Sequence, residues 1–156
     1  MNTIRSTFAR ATLIAGLAAG ALDILAAILL NLRYGPVIVL QSIAGGWMGR
    51  AAYNGGWTTA LLGLAAHFAI MLVVAAIYMA LASRLPWMRR NWEIAGVAWG
   101  VLVWAVMNLI VVPLSASPLP IPDLMHIAQG LIVHILMVGL PMAWIARRIQ
   151  GAPAAA

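Results

Sequence analysis

Three ionisable side chains, Asp23, His67 and His134, each stand inside a long run of apolar residues. Histidine titrates near neutral pH, and a carboxyl group removed from water can exchange protons with it, so these groups can form a pathway for protons or ions. The two histidines can also serve as axial ligands of a haem iron. In a third interpretation, Asp23 pairs with a histidine and the pair only fixes how helices pack.

Other site chemistries have little support in the sequence. The chain has no Cys, which excludes disulfides, thiolate metal sites and Cys nucleophiles. His126 and His134 are separated by roughly 12 Å along a helix axis, too far to share a metal ion. The glycines of 44–49 follow no predicted strand and precede no lysine, unlike a phosphate-binding loop. We therefore expect no enzymatic activity and no metal site.

The composition indicates where the protein resides. Of 156 residues, 65% are hydrophobic and only 8% are charged, whereas a soluble domain has about a quarter of its residues charged. Such a chain belongs in a lipid bilayer. All nine basic residues are arginines, in small groups at the ends of apolar runs. That placement fits orientation signals and lipid headgroups, so the net charge of +6 does not indicate a nucleic-acid partner.

Four apolar runs have about the 20 residues that a helix needs to cross roughly 30 Å of hydrocarbon. They predict an all-α integral membrane protein, a four-helix transmembrane bundle. A single domain, 1–148, would hold the spans at 11–32, 57–83, 94–114 and 124–146. We expect the tail, 149–156, to be disordered.

The stretch VLQSIAGGWMGRAAYNGG, residues 39–56, lies between the first two spans. If it crossed the membrane, the later spans would invert and the arginines of 84–90 would face the outside. We therefore predict a short re-entrant or interfacial helix over 37–53. Gly45, Gly46 and Gly49 would let this helix pack tightly against the bundle.

Arginine placement predicts the orientation of the four spans. One side of the membrane receives seven arginines, and the other receives only Arg33 and Arg50. Cytoplasmic loops are the ones enriched in arginine, so both termini are expected in the cytoplasm.

Two short motifs recur in the same order along the chain. IAGxAxG occurs in the first span, with Gly16 and Gly20, and again in the third, with Gly96 and Gly100; GLxxH begins at Gly63 in the second span and at Gly130 in the fourth. The recurrence predicts a parallel two-helix repeat with a pseudo-two-fold axis along the membrane normal. The alternative is chance, because Gly, Ala and Leu are abundant. In either case the six glycines are expected at helix-packing faces.

The polar residues of the spans fall into two layers of depth. Asp23, His67 and His134 each lie roughly 14–16 Å below the outer surface, near the membrane midplane. Asn108 and Gln129 form a shallower layer nearer the outer side. Glycine spacing places Asp23 and both histidines on inward faces, where the two histidines could face each other across the pseudo-axis.

The runs VLQSIAGGWMGRAAYNGGW, GLAAHF, VMNLIVVPLSA and LIVHILMVGLP resemble small uncharacterised bacterial inner-membrane proteins of the YagU-like group. The resemblance covers Ala15 to Arg148 and implies four spans in a bacterial inner membrane. It implies no reaction and no catalytic residues.

These observations lead to three functional interpretations. The first is a non-enzymatic membrane protein with proton- or ion-linked activity through the midplane layer. Because four spans leave little room for a substrate, such activity favours a homodimer. The second is a structural or stress-related membrane protein, and the third is a haem-binding redox protein. In the first two interpretations the only expected partners are the lipid bilayer and a second copy, with no cofactor.

Overall fold

The structure is a computed structural model that describes residues 2–119 and 123–151, with side chains from residue 6 onward. These residues form helices and connecting turns, without a strand. Four of the helices are long and apolar enough to cross a membrane, which confirms the predicted all-α, four-helix architecture. The helices are α1 (Asn2–Leu30), α2 (Gly35–Met48), α3 (Gly56–Arg84), α4 (Pro86–Arg90), α5 (Trp92–Leu114) and α6 (Leu124–Ile149).

The main core fills one end of the bundle, between α1, α3, α5 and α6. An alanine stripe on α1 (Ala11, Ala15 and Ala19) is fully buried in it. Tyr78 of α3 meets Trp99 of α5 edge-on, with ring centroids 5.2 Å apart. We call this end of the bundle the arginine end, because Arg84, Arg89, Arg90, Arg147 and Arg148 lie there. The opposite end of the bundle is the α2 end.

Glycines set the distance between the paired helices of each half of the repeat, α1 with α3 in the first half and α5 with α6 in the second. A Cβ atom added to Gly16 would lie 2.8 Å from Leu72 Cδ2, and one added to Gly20 would lie 2.9 Å from Phe68 Cε1. Both distances are shorter than a non-bonded carbon contact allows. The helices α1 and α3 therefore approach as closely as they do only because these positions carry no side chain.

The second half of the chain packs in the same register. Gly100 of α5 lies against Ile135 of α6, where an added Cβ would be 2.6 Å from the Ile135 Cα, and Gly139 of α6 lies against Gly96 O. When the two motifs are aligned, Ile135 corresponds to Phe68, and Gly139 corresponds to Leu72. The same pairs of positions are thus in contact in both halves, which supports the predicted repeat.

A short helix, α2, does lie between the first two spans, as the sequence predicted. Gly35 and Gly49 bracket it with positive φ angles of 78° and 58°, a conformation that a side chain would strain. Its backbone crosses α3 at Gly63, where an added Cβ would collide with Leu40 O. Leu40 is buried there with residues of α1 and α3. The helix therefore covers the α2 end of the first half of the repeat.

Gly45 and Gly46 of α2 contact a loop. Ala116 N donates to Gly46 O at 2.9 Å, and a Cβ added to Gly45 would lie 3.4 Å from Pro118 Cδ. This loop follows α5, so its backbone ties the second half of the chain to α2. The contacts that the structure shows for the predicted packing glycines are thus with this loop, which a Cβ added to Gly49 would also meet, 3.5 Å from Ala116 O.

The α2 end of the second half is more exposed than the rest of the bundle. None of the described residues between Trp104 and Met137 is buried. Both helices also contain a π-helical segment there, Met107–Val111 in α5 and His134–Gly139 in α6. Each segment ends within two residues of a proline, and proline removes a backbone donor and crowds the preceding turn. The helical hydrogen-bond pattern of α5 and α6 is thus irregular in these two segments.

The end of α6 is fixed by contacts with the rest of the arginine end. Gln150 Nε2 donates to Met79 O at 3.1 Å, and Arg89 Nε donates to Gly151 O at 3.0 Å. Arg147 and Arg148 lie over the rings of Trp92 and Trp144. Most of the predicted disordered tail, residues 152–156, lies outside the described residues.

We expect Gly63→Ala to destabilise the protein by about 1–3 kcal/mol, the usual cost of overpacking, because the new methyl group would push α2 away from α3. Gly46→Ala is the matched control, since no atom lies within 4 Å of its added Cβ. Unfolding in detergent, followed by tryptophan fluorescence, measures both. Equal stability of the two variants would show that α2 does not depend on contact at Gly63.

Candidate polar site in the transmembrane bundle

Asp23 stands in the hydrophobic part of α1, seven residues before the end of the helix. Its side chain is only partly buried. It follows Ala19 and Gly20 by one helical turn, so it lies on the side of α1 that carries the buried stripe. No described residue donates a hydrogen bond or forms an ion pair to its carboxylate. Asp23 is therefore a carboxyl group without a fixed partner.

His67 joins two transmembrane helices. Its side chain is 8% exposed, and its Nε2 atom lies 2.9 Å from Gly20 O on α1. A carbonyl oxygen can only accept a hydrogen bond, so Nε2 must carry the hydrogen. The lone pair of the neutral ring is then on Nδ1, which has no hydrogen-bond partner among the described residues. The packing at Gly20 brings the two helices close enough for this bond.

His134 makes a different bond. It opens the π-helical segment of α6 and is partly buried. Its Nδ1 atom lies 2.9 Å from Gly130 O, one turn earlier in the same helix. By the same reasoning, Nδ1 carries the hydrogen and the lone pair is on Nε2. The hydrogen bonds of the two histidines of the repeat therefore require the hydrogen on different ring nitrogens, Nε2 in His67 and Nδ1 in His134.

The three predicted midplane residues are not joined to one another. No hydrogen bond or ion pair links Asp23, His67 and His134, so the Asp–His pair of the packing interpretation is not formed. In the described part of the chain, no three His, Asp or Glu side chains are grouped so that they could hold a metal ion. What the residues have in common is their location in spans and an unused proton-binding atom on each.

The residues around the histidines do not fit a haem bound between them. The haem interpretation needs free space beside Gly63 and Gly130. The backbone of Leu40 occupies the first space, and the Trp104 indole occupies the second, where an added Cβ would lie 2.6 Å from Nε1. In addition, His67 uses Nε2, the atom through which a haem ligand usually binds, for the bond to Gly20.

The shallower pair of polar residues is also not joined by a hydrogen bond. Asn108 lies in the π-helical segment of α5, and its Nδ2 donates to Trp104 O at 2.9 Å. Gln129 of α6 is partly buried and has no hydrogen-bond partner among the described residues. Both side chains lie at the α2 end of the second half and are partly buried.

A buried polar cluster under α2 was not predicted from the sequence. Gln41 is 2% exposed and Thr59 is 5% exposed. Gln41 Nε2 donates to Thr59 Oγ1 at 3.1 Å and to Gly56 O at 2.9 Å, and Thr59 Oγ1 donates to Ala52 O at 2.6 Å. These bonds tie α2 to the start of α3. The available signal was that Gln41 is a long polar side chain in an otherwise apolar helix.

Asp123 and His126 form a cap at the exposed amino-terminal end of α6. The Asp123 carboxylate accepts a hydrogen bond from His126 N at 2.9 Å and another from His126 Nδ1 at 2.7 Å. Hydrogen bonds from the backbone and then the side chain of His126 lower the pKa of Asp123 below its ordinary value of 3.8. The cap is therefore complete above pH 3.8 and is lost as the pH falls through the lowered pKa.

No family model, curated protein or solved structure matches this chain.

We expect the purified protein, produced with haem available, to show no Soret absorption band, because Leu40 and Trp104 occupy the space that the ring would need. His67→Ala and His134→Ala variants are measured beside the wild type. A band in the wild type that is lost in both variants would contradict this expectation and make the chain a redox protein.

We expect Asp123→Ala to lower the thermal unfolding midpoint in detergent, because it removes the cap of α6. Asp123→Asn should lower the midpoint by less than Asp123→Ala does, since Asn also accepts a bond from the backbone at this position but lacks the charge. In the wild type the midpoint should fall as the pH drops below 3.8. An Asn variant as unstable as the Ala variant would show that capping is not the role of Asp123.

Proposed function

We propose that this chain is a multi-pass protein of a bacterial inner membrane with both termini in the cytoplasm. Four helices are long and apolar enough to span a membrane, and the arginine end holds five of the nine arginines. The positive-inside rule places that end on the cytoplasmic side. The α2 end is then the outer side. The resemblance to the YagU-like group supports the same location.

We further propose a non-enzymatic, proton- or ion-linked activity through Asp23, His67 and His134. The observation that carries this proposal is the unpartnered carboxyl of Asp23. An ionisable group inside a span is energetically costly, and such groups usually mark proton or ion pathways. Because no hydrogen bond or ion pair with a described residue holds Asp23, it can gain or release a proton, or bind a small cation, without breaking such a bond. A homodimer would supply the room that four spans lack.

A second candidate is a structural or stress-related membrane protein whose polar residues only fix the packing of helices. The bond from His67 Nε2 to Gly20 O favours it, since it joins α1 and α3 at a point of close contact. Interhelical hydrogen bonds in membrane proteins stabilise the fold by about 0.6 kcal/mol on average. This role explains why His67 lies between the helices. It does not explain Asp23, which joins no helices through a hydrogen bond or ion pair among the described residues.

The test is proton flux into liposomes of purified protein that enclose a pH-sensitive dye. We expect Asp23→Asn to abolish flux and to leave the unfolding midpoint unchanged, because the carboxyl group has no hydrogen-bond or ion-pair partner to lose and the amide has nearly the same size. Glu93→Gln is the matched control, since it makes the same acid-to-amide change at an exposed residue at the start of α5.

Two outcomes would contradict the proposal. Wild-type liposomes could show no more flux than empty ones, for protons and also for sodium and potassium ions. Alternatively, Asp23→Asn could conduct as well as the wild type. Either result, together with a lowered stability of the His67→Gln variant, would favour the structural role.

A further inference from the structure

The last turns of α6 carry three exposed side chains on one face. Trp144, Arg147 and Arg148 are all exposed, and the two arginines follow the tryptophan by three and four residues. Side chains at these spacings lie beside one another on the surface of a helix. The face is therefore a patch of one indole ring and two guanidinium groups, which we call the Trp–Arg patch.

Both guanidinium groups of the patch lie over indole rings. Arg148 Cζ is 5.3 Å from the ring centroid of Trp144, and Arg147 Cζ is 6.0 Å from the ring centroid of Trp92 on α5. These distances are within the range of a cation–π contact. A guanidinium group that lies over a ring keeps the N–H groups at its edge available for a planar or tetrahedral anion. The rings thus position the two arginines without using their hydrogen-bond donors.

No described residue uses these donors either. Neither arginine of the patch forms a hydrogen bond or an ion pair within the described part of the chain. The one acid of the arginine end, Glu93, directly follows Trp92 in the sequence, but it does not pair with Arg147. The patch therefore carries two positive charges that no carboxylate of the described residues neutralises.

The carboxyl end of α6 does not depend on the patch for a cap. Cationic side chains can stabilise the end of a helix by binding its last carbonyl groups, and Arg89 makes such bonds here. Its Nε donates to Gly151 O at 3.0 Å, and its Nη1 donates to Ala82 O near the end of α3. Arg89 thus serves the ends of both helices, whereas Arg147 and Arg148 extend from α6 without a carbonyl partner.

The patch belongs to only one half of the repeat. When the two GLxxH motifs are aligned, its three positions correspond to Ile77, Ala80 and Leu81 of α3. Orientation in the membrane depends on the number of positive charges near the ends of the spans, so it needs no indole on the same face as the arginines. The combination of ring and guanidinium groups on α6 therefore calls for a further explanation.

We propose that the Trp–Arg patch is a binding site for one anionic phospholipid. The lipid phosphate accepts hydrogen bonds from Arg147 and Arg148, since guanidinium groups bind phosphate through paired N–H donors. The glycerol and the start of the acyl chains lie against Trp144, which is one turn deeper in the bilayer, at the level that indole rings favour. This inference rests on the proposed membrane location and does not need the proton-linked activity.

Native mass spectrometry of the delipidated protein in a neutral detergent measures the binding. The probes are phosphatidylglycerol, phosphatidylcholine with the same acyl chains, and glycerol 3-phosphate, which has no acyl chains. We expect one tightly bound phosphatidylglycerol. Phosphatidylcholine should bind about tenfold more weakly, because its choline group cancels the charge that basic residues attract. Glycerol 3-phosphate should not compete at the concentration of the lipid.

Double variants separate a built site from a general attraction between charges. Arg147→Gln with Arg148→Gln should weaken phosphatidylglycerol binding about thirtyfold, the usual combined effect of two basic residues at an anionic lipid surface. Arg147→Lys with Arg148→Lys keeps both charges but loses the planar fork, so it should still weaken binding several-fold. Arg33→Gln with Arg50→Gln is the matched control, which removes the same charge from exposed residues at the α2 end and should leave binding unchanged.

Four results would overturn the inference. Equal binding of the two lipids would show that the patch does not recognise lipid charge, and competition by glycerol 3-phosphate would show a site for free phosphate. Wild-type affinity in the double-lysine variant, or equal losses in the two double-glutamine variants, would show only general attraction. Unfolding midpoints check that each variant is folded, and the double-lysine variant decides the question if the double-glutamine variant is unstable. A protein that binds the lipid but conducts no ion would refute the proposed activity alone.

Discussion

Close contact between helix backbones is the constraint on which the rest of this structure depends. Helices in lipid gain nothing from hiding apolar surface from each other, so they attract mainly by packing. Gly16 and Gly20 allow that packing between α1 and α3, and Gly96 and Gly100 allow it between α5 and α6. Because each glycine fits against one position of the neighbouring helix, it also fixes the register. The bond from His67 to Gly20 O is a consequence of this register.

The GLxxH motif has different surroundings at Gly63 and at Gly130, because only the first half of the repeat carries the extra helix α2. The carbonyl group of Leu40 fills the space at Gly63, while the side chain of Trp104 fills the equivalent space at Gly130. A backbone contact is rigid and excludes other groups, whereas an indole at a partly buried position leaves the surrounding helices less constrained. The first half therefore gains a tightly packed polar cluster beneath α2, and the second half keeps partly exposed polar side chains.

The sequence was sufficient for the architecture but insufficient for the site. Span number follows from the length of apolar runs, and packing faces follow from the spacing of glycines, since both depend on regular helical geometry. The hydrogen-bond partner of His67 depends on how α3 is rotated about its own axis relative to α1. Composition does not specify that rotation. The π-helical segments add a further shift within α5 and α6, so depths counted from the ends of spans do not give the neighbours of His134. The Asp23–histidine pair of the packing interpretation, inferred from depth and from glycine spacing, is not formed among the described residues for the same reason.

The insertion of α2 also has a consequence for the order in which the protein can assemble during synthesis. The contacts of α2 are mainly with α1 and α3, together with the later bond from Ala116 to Gly46 O. The contacts at Gly16, Gly20 and Gly63 therefore need no residue of the second half. The second half has no such helix, and α6 packs on the alanine stripe of α1. The amino-terminal half thus provides the face on which a later-synthesised helix packs.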